Sequence, residues 1–404
     1  FRLLEVNRGH EVAQHGPWFY DWDIVGMITG GKLKIDVRYS KDQYEKRSMN
    51  RFVDLYKQSL YEIIDYCCDR PKSILTPSDI TYTSLSIGQL DALQEIFDVQ
   101  DVYPLTPMQE SMLYNTLKEP EAEHYLIQVA YEITGQPDIK NIHKSANQLI
   151  DRYDVLRTVF LYDLYERPLQ VVLKQRKIDF QFYDIQKECN FTTETELVNA
   201  YCIKERSRKF DASKDVLIRL TVLQTAQDRF LFIWNYHHIL MDGWCMGTIL
   251  KDFEKIYAQN ESKELITLHK VRPYSSYIKW LEQRDHSESL SYWKNYLASY
   301  SGLATLPFKK RASERLPYTY ESHTLLLNTA QTEVLHKICN DHRVTVNAAL
   351  QCAWGILLAR YNNIHDVVFG TVMSGRPAEI EGVEEMVGLF INTVPVRISY
   401  EEDT

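Results

Sequence analysis

Apolar residues alternate over Ile24, Gly26 and Ile28, and again over Leu33, Ile35, Val37 and Tyr39. Gly30-Gly31 lies between the two runs, which predicts a β-hairpin about a two-residue turn. From Lys41 the period changes. Met49, Phe52, Val53, Tyr56, Leu60, Ile63 and Ile64 recur at spacings of three and four, predicting a helix with one apolar face. Residues 67–85, with Pro71, Pro77 and a run of Ser, Thr and Asp, read as a connector. A short helix follows, capped by Ser86 and burying Leu90, Leu93, Ile96 and Phe97.

From Asp101 strands and helices alternate. Thr106-Pro107-Met108-Gln109 is a helix start: Thr106 caps, Pro107 suits the first helical position, and Gln109 completes a capping box. Phe230 to His238 is a strand with Phe230, Phe232, Trp234, Tyr236 and His238 on one face and Leu231, Ile233, Asn235 and His237 on the other. Met246, Ile249, Leu250, Phe253 and Ile256 mark a helix, Val346 to Tyr361 another, and Asp366 to Met373 a strand rich in Val and Phe. The whole reads as an α/β or α+β chain with large sheets.

Charge and composition narrow the function. The net charge of −9 and the absence of a basic stripe argue against nucleic-acid binding. No apolar run approaches the roughly 20 residues of a spanning helix, which argues against a membrane protein. The seven cysteines (Cys67, Cys68, Cys189, Cys202, Cys245, Cys339 and Cys352) are scattered without paired ligand spacing, and reduced thiols in a cytoplasmic protein are the simplest account. No signal peptide opens the chain, and a start at Phe1 reads as a piece of a longer polypeptide.

The segment that carries chemistry is Tyr236-His237-His238-Ile239-Leu240-Met241-Asp242-Gly243-Trp244. Two histidines end a strand, and an aspartate and a glycine follow in the turn. A rigid sheet fixes such groups while the loop exposes them, and histidine suits proton transfer at neutral pH. Alternation sends the two rings to opposite sides of the sheet, so only one faces a given cleft, and position alone does not say which. A histidine at a strand end is most often a satisfied structural residue. Zinc is disfavoured because adjacent strand residues do not easily reach one ion and no third His or Cys sits at ligand spacing, so no metal is expected.

The pattern His-His-x-x-x-Asp-Gly resembles the signature of the condensation-domain family of non-ribosomal peptide synthetases, relatives of the chloramphenicol acetyltransferase fold. Flanking motifs appear in family order. Tyr103 to Glu110 resembles the opening motif. Arg152-Tyr153-Asp154-Val155-Leu156-Arg157-Thr158 resembles the second, with Tyr153 and Asp154 departing from its usual His-Glu. Tyr274 to Trp280, then Ser374-Gly375-Arg376-Pro377 with Met386 to Arg397, are similar to later motifs. The resemblance covers residues 101–404. It implies a two-lobed α/β fold with a tunnel between the lobes, and attack of a carrier-bound aminoacyl thioester's amine on a carrier-bound donor thioester.

By the same resemblance, His238 faces the tunnel as the catalytic histidine and His237 is structural. Asp242 pairs with Arg376 across the lobes. Gly243 leaves room at the reacting centre, and its amide is a candidate oxyanion donor. Arg157 and Asn392 support the site. No cofactor is bound permanently, and the reactants arrive on the phosphopantetheine arms of donor and acceptor carrier domains, with adenylation and epimerization domains as neighbours. Tyr103 to Glu110 and His237 to Cys245 resemble the subclass whose donor ends in a D-residue. Residues 1–66, including Leu4-Glu5-Val6-Asn7, resemble the tail of an epimerization domain, which supplies such a residue. The expected organisation is therefore a tail at 1–66, a linker at 67–85, an N-terminal lobe at 86–270 and an incomplete C-terminal lobe at 271–404. Tyr277 and Trp280 are expected to pack rather than touch substrate. A CoA-dependent acyltransferase of the same fold, an epimerization domain and a non-catalytic carrier-docking module are the competing readings.

Overall fold

The computed structural model describes residues 20–69, 74–119, 125–163, 165–186, 193–263, 266–306 and 321–400. The segment Leu4-Glu5-Val6-Asn7 lies outside them. The chain divides into two compact units, Phe1–Ile74 and Leu75–Thr404.

In the first unit, β1 (Trp22–Thr29) and β2 (Lys32–Tyr39) pair antiparallel, and α1 runs from Lys46 to Cys68. Gly30 and Gly31 both take positive φ, at 58° and 75°, where a Cβ would be strained. That pair of left-handed residues makes the tight turn whose twist matches a hairpin. The alternation and the helical face read from the sequence are both present, but they are not buried. Ile24, Met27, Ile28, Val53, Tyr56, Ile63 and Ile64 are exposed, and of α1 only Met49 is fully buried.

The connector expected at 67–85 is structured where it is described. α1 continues through Cys68. Ile80 and Leu85 are buried with Leu90, Leu93, Val99 and Val102 in one hydrophobic cluster. Apolar residues spaced too irregularly to show a period still bury when a sheet lies beneath them. Helix α2 (Ile87–Ile96) starts at Ser86 with a complete capping box and buries Leu90 and Leu93, whereas Ile96 is exposed.

The second unit continues with β3 (Val99–Pro104), α3 (Pro107–Lys118), β4 (Leu126–Thr134), α4 (Ile139–Arg152), β5 (Thr158–Leu161), β6 (Leu169–Leu173), β7 (Asp179–Asp184), α5 (Glu194–Arg206), β8 (Ile218–Ala226), β9 (Arg229–His237) and α6 (Cys245–Ser262). After these come α7 (Ser275–Glu282), α8 (Ser287–Tyr296), α9 (Thr329–Asp341), α10 (Val346–Asn362), β10 (Asp366–Met373) and β11 (Asn392–Ser399). The sheets are smaller than the strand pattern suggested. They have the orders β4-β9-β8-β7, β3-β6-β5 and β10-β11, and among the described residues only β7 with β8, joined through α5, is parallel. Strand period identifies strands but not which of them share a sheet.

The four-stranded sheet positions the histidines. Leu220, Val222, Phe232, Trp234 and Tyr236 pack on one face with Ile142, Ala146 and Leu149 of α4 and Ile249, Phe253 and Ile256 of α6. Leu223 and Ile233 face the other way, against Leu197 of α5. Both faces of β9 are covered, so its register is strongly specified. Leu149, fully buried between α4 and the sheet, tests this core. Leu149→Ala is expected to cost about 3 kcal/mol, read as a lower midpoint of urea unfolding with an unchanged slope.

Candidate functional site

His237 is the last residue of β9, paired with Leu126 of β4, and His238 is the first beyond it. The His238 amide donates to the Tyr125 carbonyl at 2.7 Å, which holds the strand end against a residue with positive φ. His237 is buried, and its ring is used on both edges. The Ile239 amide donates to Nδ1 at 3.1 Å, so Nδ1 carries no proton and Nε2 does. Nε2 lies 3.3 Å from Thr116 Oγ1, whose own hydrogen goes to the Met112 carbonyl at 2.9 Å. Burial, helped by the neighbouring His238, lowers the His237 pKa to about 4. His237 is therefore a neutral, fully committed ring that ties β9 to α3.

His238 is half-buried, and its enclosed Nδ1 has no hydrogen-bond partner among the described residues. Gly243, five residues on, is exposed, and a Cβ built there would meet no atom within 4 Å. Among the described residues nothing forbids a side chain at Gly243.

Asp242 is buried, and its contacts reach the far end of the unit. Its amide donates to the Gly388 carbonyl at 3.2 Å, and its Oδ2 accepts from the Phe390 amide at 3.2 Å. Its Oδ1 lies 3.4 Å from Arg376 Nη2, with both side chains almost fully shielded from solvent. Arg376 Nη1 donates to the carbonyls of Val383 and Met386, and the guanidinium stacks 4.2 Å from the Phe390 ring centroid. Segment 386–390 is thus fastened to the loop after β9 through both kinds of backbone group, N–H and C=O.

Cys245, which sequence reasoning gave no role, sits inside this knot. Its sulfur accepts from Arg376 Nη2 at 3.1 Å, and its hydrogen has Asp242 Oδ1 and the Gly388 carbonyl, each at 3.3 Å, as acceptors. Burial, and then the Asp242 charge, push the thiol pKa up to about 12, so the group stays a neutral donor. Gly388 and Gly375 are required by space. A Cβ on Gly388 would lie 2.2 Å from Tyr274 Cδ2, and one on Gly375 would lie 2.0 Å from the Phe390 carbonyl oxygen. Tyr274 donates to the Leu389 carbonyl at 2.6 Å. Tyr277 stacks between Phe390 and Trp280 and is a packing residue.

A second buried network supports the loop. Gln109 Nε2 donates to the Ile239 carbonyl and to Gln170 Oε1, both at 3.0 Å, and Gln170 Nε2 donates to the Pro104 carbonyl at 3.0 Å. Gln109 thereby completes the Thr106 cap and also braces the residue after His238. The sequence signalled the cap and a place for Gln109 near the cleft, but not its bond to Ile239.

Two expected residues are not brought to the histidines. Arg157 spends all its N–H groups on Leu173, Ile150, Asp151, Gln100 and Asp154, none of them in the 237–243 loop. It is a buried strut at the end of α4. Asn392 is exposed at the start of β11, and its Oδ1 accepts from the Thr393 amide.

The buried groups of this site set its response to mutation and to pH. Asp242→Asn leaves Arg376 buried without a counter-charge and is expected to cost about 3–5 kcal/mol by urea unfolding. The His237 pKa is lower folded than unfolded, so the unfolded state binds more protons between the ordinary value near 6.5 and about 4. Stability present above about pH 6.5 is therefore lost as pH falls to about 4, by about 3 kcal/mol from this ring. His237→Asn is expected to flatten that part of the stability profile.

Comparison with known proteins identifies the family. The family model for the condensation domain matches residues 99–404. A mycosubtilin synthase polypeptide of Bacillus subtilis is 40% identical over 395 residues, covering 96% of this chain and 15% of the relative. Gramicidin S synthase 2 of Brevibacillus brevis is 43% identical over 305 residues, 76% of this chain and 7% of that protein. The chain thus spans a small part of the relatives it matches. Among solved structures, the first condensation domain of the calcium-dependent antibiotic synthetase superposes with a TM-score of 0.60 at 16% identity, covering 74% of this chain and 70% of that one. The chain belongs to the condensation-domain family and has its two-lobed, chloramphenicol-acetyltransferase-like α/β fold.

Proposed function

We propose that this chain forms a peptide bond between two carrier-bound substrates in non-ribosomal synthesis, acting as an amide-forming acyltransferase. The observation that carries this reading is the contrast between the two histidines. His237 is neutral and spent on structure, whereas His238 is half-buried and its enclosed Nδ1 has no hydrogen-bond partner among the described residues. With Nδ1 enclosed, we assign Nε2 of His238 as the nitrogen that meets the reactants.

The acceptor's amine attacks the donor thioester carbonyl, a C–N bond forms, and the C–S bond breaks. The amine loses one proton and the departing thiolate of the donor arm gains one. His238 takes the first and returns the second, a role worth about 10²–10⁴-fold in comparable enzymes. Alignment of the two arms supplies a further large share, because the thioester is already activated. The amide of Gly243 is assigned as the donor to the carbonyl oxygen as it becomes an oxyanion. Asp242, Arg376 and segment 386–390 act by holding that loop still, and Arg157 supports the fold from further away.

The reactants are carried on phosphopantetheine arms of donor and acceptor carrier domains, and the chain works in the cytoplasm beside adenylation and epimerization domains. No metal or permanently bound cofactor has a part in this reading. The likeness of residues 1–66 to an epimerization tail, and of Asp242-Gly243-Trp244-Cys245 to a D-donor pattern, together support a donor ending in a D-residue. Relatives named as synthases of mycosubtilin and gramicidin S support a place in peptide antibiotic synthesis.

The test loads a donor carrier with a peptide ending in a D- or an L-residue, loads an acceptor carrier with an amino acid, and follows product on the acceptor by mass spectrometry. Product from the D donor, falling at least about 10²-fold in His238→Ala, is the expected result. Product from both donors keeps amide formation and removes the stereochemical assignment. No product, with both carriers still bound, overturns the catalytic reading in favour of a docking module.

A further inference from the structure

Arg219 of β8 is a buried cation with no ion-pair partner among the described residues, although Asp179, Glu205 and Asp215 lie near enough to act on its charge. It is only 3% exposed, and it lies beside Asn235 of β9 and Asp179 of β7 in the sheet register. Its Nη2 donates to the Arg208 carbonyl, its Nη1 has no partner, and no carboxylate lies within ion-pair distance among the described residues. The guanidinium sits 3.8 Å from the centroid of the Phe210 ring, which fixes its plane. The neighbouring carboxylates are taken elsewhere. Arg208 holds both Glu205 and Asp179, and Asp215 accepts from the Asp211 amide.

Buried charges in proteins are normally paired, because the unpaired form forfeits its hydration with nothing in return. Burial and repulsion from Arg208 accordingly pull the Arg219 pKa down. Two further buried polar atoms near it are also unpartnered: Nδ2 of Asn235, its cross-strand neighbour, and Oγ1 of Thr221, two residues along β8 on the same face. A row of polar residues therefore crosses all four strands, Gln128, Asn235, Arg219 and Asp179, with an excess of donors about its centre.

This row ends in a cavity of about 270 Å³ lined by Lys177, Asp179, Arg208, Phe210, Asp215 and Arg219, among others. None of these residues belongs to the His237–Gly243 loop. The volume is that of several water molecules, enough for one oxyanion group and a few attached atoms. Lys177 is exposed at the cavity, and Arg219 forms part of its wall. The guanidinium gives that wall a permanent positive charge. Asp179 and Asp215, also in the lining, disfavour a doubly charged guest.

We propose that this cavity is a binding site for a singly charged oxyanion, a carboxylate or a phosphate diester borne by a small molecule, with Arg219 as its counter-charge and Lys177 at its mouth. The site is separate from peptide-bond formation and does not depend on that assignment.

Isothermal titration of the protein with acetate and with dimethyl phosphate, at neutral pH and constant ionic strength set with chloride, tests the proposal. Saturable one-site binding of either probe is expected, lost in Arg219→Met and weakened about tenfold in Lys177→Glu. Which probe binds distinguishes carboxylate from diester. Lys177 is a surface residue, so its variant decides the matter if Arg219→Met fails to fold. Absence of saturable binding by both probes, or unchanged affinity in Lys177→Glu, overturns it.

Discussion

The Asp242 carboxylate is the point through which distant parts of the second unit meet. It lies in the loop that follows a strand buried on both faces, and it accepts from the Phe390 amide while facing Arg376 and Cys245. A buried carboxylate is tolerated only when its lone pairs are satisfied, and here every partner but Cys245 comes from residues more than 130 positions away. That demand fixes segment 386–390 against the loop. The close packing of Gly388 on Tyr274 and of Gly375 on the Phe390 carbonyl is how the backbone gets near enough to answer it.

The two histidines show how one sequence step separates structure from chemistry. His237 ends the hydrogen-bonded ladder and faces Thr116 and the Ile239 amide, which leave its ring no free edge. His238 leaves the ladder, keeps a part of its surface in the open and has one enclosed nitrogen without a partner. The Gln109–Gln170 pair then braces the carbonyl of the next residue, Ile239. This arrangement suits the role proposed for His238: its backbone is held by buried hydrogen bonds while its ring is left uncommitted.

Much of the fold was legible because its signals are local. The Gly30-Gly31 turn, the caps at Ser86 and Thr106, and the strand and helix about His237 all rest on residues within a few positions of one another. Burial was less legible. The apolar faces of the hairpin and α1 have the right period yet remain exposed, while Ile80 and Leu85 have no period and are buried. Period reports which residues share a face and says nothing of whether another element covers that face.

The sequence by itself determined the motif set, the order of elements, the family and the chemistry type of the candidate site, since each depends on residue identity at short spacing. The tertiary structure alone decided that Arg157 is a strut rather than a neighbour of the histidines, that Cys245 belongs to the Asp242–Arg376 knot, and that Arg219 is buried with no ion-pair partner among the described residues. Those facts depend on which side chains from remote segments come within hydrogen-bonding distance. Such distances are set by packing the whole unit, and no local pattern encodes them.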